Sequence, residues 1–558
     1  MPDYLQLHKD KVLERADLNK RRDSDNELLT SYKYEMTDSK DKKLEDIIHV
    51  TMNRLKVFAA YVEAALNKAD EKVNVTSEDE KIDTAEIEDY IKAGFASANL
   101  RLVTRGDFAL DPYFDQQACR RGEAAARVMF QMVEAKEGVE PYLDADITQW
   151  DTRYITYETG SDGLAWGAYE TTKSKGMIES SKWALESNFT MSGKSAEVID
   201  LWTPEENIIY VAEKEVFKQT NPWGFVNVCV QKVPIGSMLA DKDSLQYQCE
   251  SILFLVRDLI NEYNRCVSLL QTLNIKSVKA ALQEATKGEA HTFEEINASG
   301  SVTPVETPGA IAQIPYGDAK NSMILALQEI KEALDDGTLA RIMLGDLPGE
   351  MSAVALIQVE QGQGQVYMPR LGTRGMLKQQ IALMFIKQTK DLGTVNLGTP
   401  GHRKDYKMSD MEGEYDIEFV YANKSPETDF ARLSLGREYK EADMLDELSI
   451  LTDVMKRDDP EGDQRKLFRQ RLRRISPNLQ MLDGLMALAK AVEDGDESAT
   501  VEIDIIEAEL NVSLESVLAG NLPQSEEQGG QPVNEPLAVR GSAQKAADLK
   551  KTPVDLEV

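Results

Sequence analysis

Gly193, Lys194 and Ser195 could close a phosphate-binding loop, in which the lysine neutralises phosphate and the hydroxyl holds magnesium. Such a loop needs a glycine five positions earlier, where this chain has Asn188, and no strongly apolar strand leads into it. The match is read as chance. Gly362 and Gly364 begin a dinucleotide-type G-x-G, but Tyr367 fills the place of the third glycine. His8, His49, His291 and His402 are scattered, without the spacing that sets two imidazoles on one zinc. Cys119, Cys229, Cys249 and Cys266 form no C-x-x-C pair, so reduced, core-packed thiols are expected rather than a metal site or disulfide framework. No catalytic residue, metal or cofactor is assigned, although carboxylate pairs assembled only by folding are invisible at this level.

Placed charge carries more. Residues 361–390 hold five basic and no acidic side chains, and Arg370, Arg374 and Lys378 recur every four residues, on one helical face. Such a stripe suits phosphate or an acidic face of a neighbouring subunit, and equally an ordinary solvated face. A second basic cluster comprises Arg465, Lys466, Arg469, Arg471, Arg473 and Arg474; residues 493–509 beyond it carry eight acidic side chains and no basic one. Pairing of these two regions, within or between subunits, is preferred to nucleic-acid binding.

Elements must carry these groups. Residues 1–43 are densely charged and poor in large apolar side chains, the composition of an exposed arm or one ordered by a partner. Leu44, Ile47, Ile48, Leu55, Phe58, Val62 and Leu66 fit one helical stripe; Asp70 to Lys81 reads as a charged turn, and Phe114 to Val133 as a helix. All five tryptophans lie between Trp150 and Trp223, among short alternating segments that read as strands, and are expected as core fillers.

Leu245, Cys249, Ile252, Val256, Leu259, Tyr263, Cys266, Leu270 and Leu273 alternate by four and three, an a/d seam that predicts one helix over 244–273, roughly 45 Å long. Its seam needs a second long helix, and Met323, Leu327, Ile330 and Leu334 supply one over 319–336. Between them, 274–318 is rich in glycine and proline, a turn-rich module. A loop follows at 337–350, then a long apolar helix at 351–392 that Gly362, Gly364, Pro369, Gly372 and Gly375 should kink or interrupt. Residues 393–426 include a strand at Tyr415 to Tyr421, 427–521 return to amphipathic helices, and 522–558 read as disordered. The fold class expected is α+β, mainly helical.

The 558 residues allow several domains and ample core. No apolar run approaches the ~18 residues of a membrane span, and no secretory signal is visible behind Met1, so a soluble chain made in a cytoplasm is expected. Ninety-six Asp and Glu against 64 Lys and Arg give a net charge of -32, which disfavours tight nonspecific wrapping of nucleic acid.

This order of elements, over roughly 44–492, resembles the portal, or head-to-tail connector, proteins of tailed double-stranded DNA bacteriophages. Asn221, Pro222, Trp223, Gly224, Phe225, Val226, Asn227 and Val228 resemble that family's Pro-x-Gly-x-x-Pro-Val segment, with Asn227 for proline. Met351, Ser352, Ala353, Val354, Ala355 and Leu356 resemble its Ser-Gly-x-Ala-Leu start of the tunnel helix, with Ala353 for glycine. The resemblance implies a mixed α and β wing (44–243), stem helix (244–273), clip (274–318), return stem helix (319–336), tunnel loop (337–350), kinked tunnel helix (351–392), wing strand return (393–426) and helical crown (427–521). It further implies a ring, usually a dodecamer, at one capsid vertex of the virion, assembled in the host bacterial cytoplasm. Double-stranded DNA passes through such a ring during packaging and ejection. Implied partners are the large terminase subunit, the major capsid and scaffolding proteins, and a head-completion or tail adaptor, with no membrane. Thr338, Arg341, Asp346 and Glu350 would face DNA on the tunnel loop, and Lys287, Glu289, His291 and Glu294 would meet the motor or adaptor on the clip. Two other readings are carried: a capsid-associated nuclease or protease, and a coiled-coil scaffold protein.

Overall fold

The computed structural model describes residues 3–79, 82–134, 140–278, 282–285, 302–305, 319–338, 353–422, 426–442, 444–455, 464, 467–468 and 471. The chain divides into two compact units, Met1–Arg437 and Glu438–Val558. In chain order the first holds α1 (Tyr4–Glu14), α2 (Ala16–Thr30), α3 (Arg54–Asn67), β1 (Asp70–Thr76), α4 (Thr84–Arg105), α5 (Leu110–Arg120), β2 (Glu123–Val133), β3 (Tyr142–Trp150), β4 (Ile155–Thr159), β5 (Leu164–Ser174), α6 (Lys175–Glu179) and α7 (Lys182–Glu186). It continues through β6 (Ser195–Trp202), β7 (Glu206–Val211), β8 (Lys214–Thr220), β9 (Val228–Lys232), α8 (Leu259–Val278), β10 (Leu282–Ala285), β11 (Val302–Val305), α9 (Ala319–Gly337), α10 (Ala353–Thr389), β12 (Thr394–Leu397), β13 (Lys404–Lys407) and β14 (Asp416–Ala422). Then comes α11 (Pro426–Glu441); in the second unit α12 (Glu447–Ser449) runs into a π-helical turn at Ile450–Val454. The chain is an α+β protein with several small sheets.

Strands β4 to β8 form an antiparallel meander, and β2 lies between β3 and β9 in a second sheet. Trp150 and Trp202 pack with Ile155 and Val228 where these sheets meet, and Trp166 fills the core beneath α1, so three of the clustered tryptophans are core fillers, while Trp183 and Trp223 are half-buried against their clusters. Before β9 the chain turns at Gly224, at φ 71, and the Asn221 side-chain amide donates to the carbonyls of Thr203 (2.9 Å) and Phe225 (2.7 Å). Helices α4 and α5, strands β2 and β3, the C-terminal half of α10 and strands β12 to β14 share the largest core. Tyr90 stacks on Phe385 there at 5.7 Å.

Four expectations fail, two of them because distant partners claim the charge or the backbone and two because local residues break the helix. The arm over 1–43 is not merely exposed: Leu18, Arg22, Asp25 and Leu29 of α2 are buried, and its arginines reach carboxylates far along the chain. The helical stripe holds only from Arg54; the chain turns at Glu45 and Asp46 and runs without helix over 48–53, as the β-branched Ile48, Val50 and Thr51 favour. Asp70–Thr76 is no turn but strand β1, burying Val73 and Val75 and pairing antiparallel with β14 from Asp70↔Ala422 to Thr76↔Asp416. The helix expected over 114–133 ends at Arg120 and becomes strand β2. Gly122 makes that break at φ 68, where a Cβ would stand 2.0 Å from the Cys249 carbonyl oxygen.

The stem helix is also shorter than its seam. Helix α8 starts at Leu259, so Leu245, Cys249, Ile252 and Val256 precede it; Lys242–Tyr247 is a 3-10 turn and Cys249 sits at φ 53. A helix through this stretch would need its own carbonyls as acceptors. Arg21 takes those of Gln246, Gln248 and Cys249, while the Ile252 amide donates to the Cys119 carbonyl at 2.9 Å. Cys249, Ile252 and Val256 are buried all the same. Helix α9 begins at Ala319 as the spacing predicts, and lies against α8. Helix α10 runs unbroken from Ala353 to Thr389 with Pro369 inside it. Of the kink or interruption expected there, the interruption does not occur, because packing in two cores holds the helix across the missing donor.

Candidate functional site

The stripe on α10 is buried, and Arg374 and Lys378 of it are ion-paired within the chain. Arg370, Arg374 and Lys378 are each 3% exposed. Arg374 donates to Asp115 at 2.6 Å and lies over the Tyr421 ring at 4.4 Å. Lys378 bonds Glu71 at 2.5 Å and Asp111 at 2.9 Å, and faces the Phe95 ring at 4.6 Å. Burial pushes Asp115 up to about 7 against the pull of Arg374, whose own pKa Asp115 and Tyr421 raise in spite of burial. Arg370 donates to the Val366 carbonyl at 2.8 Å beside the Cys119 thiol, and burial lowers its pKa. Neither the phosphate-binding nor the solvated reading of this stripe survives, since its counter-charges come from β1 and α5 of the same chain. Asp111 and Asp115, four apart on α5, were the complementary signal in the sequence.

Helix α8 has two working faces. Toward α9 and the second core lie Leu259, Ile260 and Tyr263; Cys266 is buried and Leu270 half-buried. One position round, Asn264, Ser268 and Thr272 are buried polar residues spaced by four. Their oxygens accept the amides of Met52 (3.0 Å), Val50 (2.9 Å) and Ile48 (2.9 Å), so the extended segment is laced antiparallel to the helix. The fit is arithmetical. Four helical residues rise about 6 Å and two extended residues about 6.6 Å, so the rungs match for a few repeats before drifting out of register. Sequence reading followed the apolar seam and missed these three. The hairpin's outer surface keeps apolar side chains exposed, with Leu273 at 39%, Ile324 at 39% and Leu325 at 58%.

The N-terminal helices are bolted by charge to β2, β4 and the segment that precedes α8. Glu123, wholly buried, accepts from Arg15 (2.7 Å), Arg22 (2.9 Å) and the Tyr157 hydroxyl (2.5 Å). Burial alone would raise it, but these partners hold it down at about 2. Asp25 accepts from Arg257 and from the Ser251 hydroxyl at 2.7 Å, and Arg257 also pairs with Glu250 at 2.6 Å. Arg21 completes the group, 3.0 Å from Glu250.

One constellation bears on the enzyme reading. His8 lies between Thr156 Oγ1 (2.6 Å from Nδ1) and Glu170 (3.2 Å from Nε2), the order of a nucleophile, base and acid. Thr156 and His8 are 3% and 2% exposed, so the hydroxyl is closed off from solvent. The arrangement ties α1 to the meander. All four cysteines are free and buried. Among the described residues no group of three His, Cys, Asp or Glu side chains is placed to hold a metal ion, and no helix is long and apolar enough to cross a membrane.

Of the tunnel-loop residues, Thr338 caps the end of α9 by donating to the Leu334 carbonyl at 2.6 Å; Arg341, Asp346 and Glu350 lie outside the described residues. So do the clip residues Lys287, Glu289, His291 and Glu294, although β10 and β11 within that stretch pair in parallel. The second basic cluster, apart from Arg471, and the acidic run at 493–509 lie outside as well. No protein-family model matches the chain, and no curated protein matches it significantly.

Proposed function

We propose that the chain is a structural portal subunit, whose copies close into a ring at a capsid vertex and conduct double-stranded DNA. The observation that carries this reading is the succession of one helical hairpin, α8 and α9, around a small β10–β11 module, followed directly by the 37-residue α10 threading the main core. A mixed wing before the hairpin and a strand return after α10 fit the same order. The exposed Ile324 and Leu325 suit heterologous packing between neighbours, in which each subunit offers different faces to its two partners. A net charge of -32 suits a conduit, because each cation set against phosphate would tether the passing duplex. In this reading the terminase large subunit and a tail adaptor dock on the ring, capsid and scaffolding proteins surround it, and the chain performs no catalysis. Native mass spectrometry of the full chain tests it: a closed oligomer, of about twelve copies by the family's usual ring, supports the proposal, and only monomer or dimer at micromolar concentration refutes it.

A further inference from the structure

A surface cavity of about 1170 Å³ lies where the last turns of α10 meet the end of β1 and the start of β14. Its floor is apolar: Leu383, Ile386, Met408, Met411 and Tyr415. Its rim is acidic, with Glu78, Asp79, Glu412, Glu414 and Asp416 against only Lys387 and Lys390. The volume exceeds the roughly 300–1,000 Å³ of small-molecule pockets, and the rim carboxylates are exposed, so the space is a groove rather than a ligand cavity. Leu383, Ile386 and Lys387 fall on one face of α10, and Lys390 follows in the 3-10 turn that continues it, so the lining runs along about 10 Å of helix, or two turns.

The groove is preformed. The Ser77 hydroxyl donates to the Glu414 carbonyl at 2.8 Å and the Tyr415 hydroxyl to the Met411 carbonyl at 3.1 Å, joining the two walls and fixing the floor. Gly413 stands at φ 138 with the Ile82 side chain 2.4 Å from where a Cβ would be, so glycine alone fits this turn of the rim without strain. A preformed surface spends little of its binding energy on ordering.

The geometry points to a docking site for a short basic amphipathic helix of a partner protein, with one apolar face seated on the half-buried Leu383 and Tyr415 and flanking lysines or arginines against the carboxylate rim. Helix-in-groove recognition reads such a segment through apolar side chains at i, i+3, i+4 and i+7. The charges set which partner enters: an acidic helix of the same shape would meet five like charges. This inference concerns a surface of the single chain and does not rest on ring formation.

The probe is a fluorescent 14-residue helix-forming peptide of leucine and lysine, leucines on one face, titrated into the full chain and followed by anisotropy. Controls are the same composition scrambled so that leucines share no face, and the same pattern with glutamine for lysine. We expect saturable one-to-one binding, at least tenfold weaker for both controls and at least tenfold weaker for the exposed double variant Glu412→Lys, Glu414→Lys with an unchanged melting temperature. Equal binding by the scrambled peptide or by the double variant would mean general attraction to an acidic protein and overturn the site. Absence of binding at 1 mM peptide would overturn it too. A changed oligomeric state in the double variant would assign the groove to a second copy of the chain and refute the partner assignment.

Discussion

At the residue scale, buried charge is satisfied by partners the sequence places far away, and this decides what substitutions do. Glu123 has a folded pKa of about 2 against an ordinary 4.5. A depressed carboxylate contributes stability that is full above its unfolded pKa and is lost as pH falls through the folded one, here about 3 kcal/mol between pH 4.5 and 2. Glu123→Gln should therefore cost about 3–5 kcal/mol at pH 7, since Arg15 and Arg22 stay buried without their anion, and should flatten the acid limb of the stability curve. Urea unfolding at pH 7 and pH 3 measures both; a variant as stable as the parent at pH 7 contradicts the assignment. For α10, Arg374→Glu sets a second carboxylate beside Asp115, and Lys378→Glu another beside Glu71 and Asp111. Either is predicted to destabilise by more than about 3 kcal/mol, visible as a lower melting temperature before any assembly is tested. A folded, equally stable variant would return the stripe to the surface. The spacing of Arg370, Arg374 and Lys378 was legible as one helical face. Which way that face points was not, because burial depends on Glu71, Asp111 and Asp115 lying opposite.

At the element scale, the lacing of 48–52 to α8 is a testable joint. Asn264→Ala, Ser268→Ala and Thr272→Ala together remove three acceptors, and at roughly 0.5–1.5 kcal/mol each should cost about 2–4 kcal/mol. Hydrogen exchange should quicken at the amides of Ile48, Val50 and Met52 while α3 stays protected; unchanged exchange at those amides would show that the side chains do not hold them. Local periodicity made α9, α10 and α8 as far as Leu273 readable, because their apolar side chains recur at helical spacing. It failed between Leu245 and Val256, where the same spacing buries side chains without a helix and Arg21 occupies the carbonyls. It failed again at β1, whose seven residues take their order from β14, about 345 positions away.

At the scale of the whole molecule, a protein this acidic should pass DNA without gripping it. The full chain is predicted to leave a 30-base-pair duplex unshifted in a gel at about 100 mM salt, whereas micromolar retention would argue for a binding protein. Closure into a ring is the claim on which the functional account depends, and nothing in a single chain's composition specifies it. Negative-stain electron microscopy of the purified full-length protein tests it most directly. The account predicts end-on class averages showing a disc of repeated subunits around a central hole; solid compact particles or rods, with no such view, would contradict it.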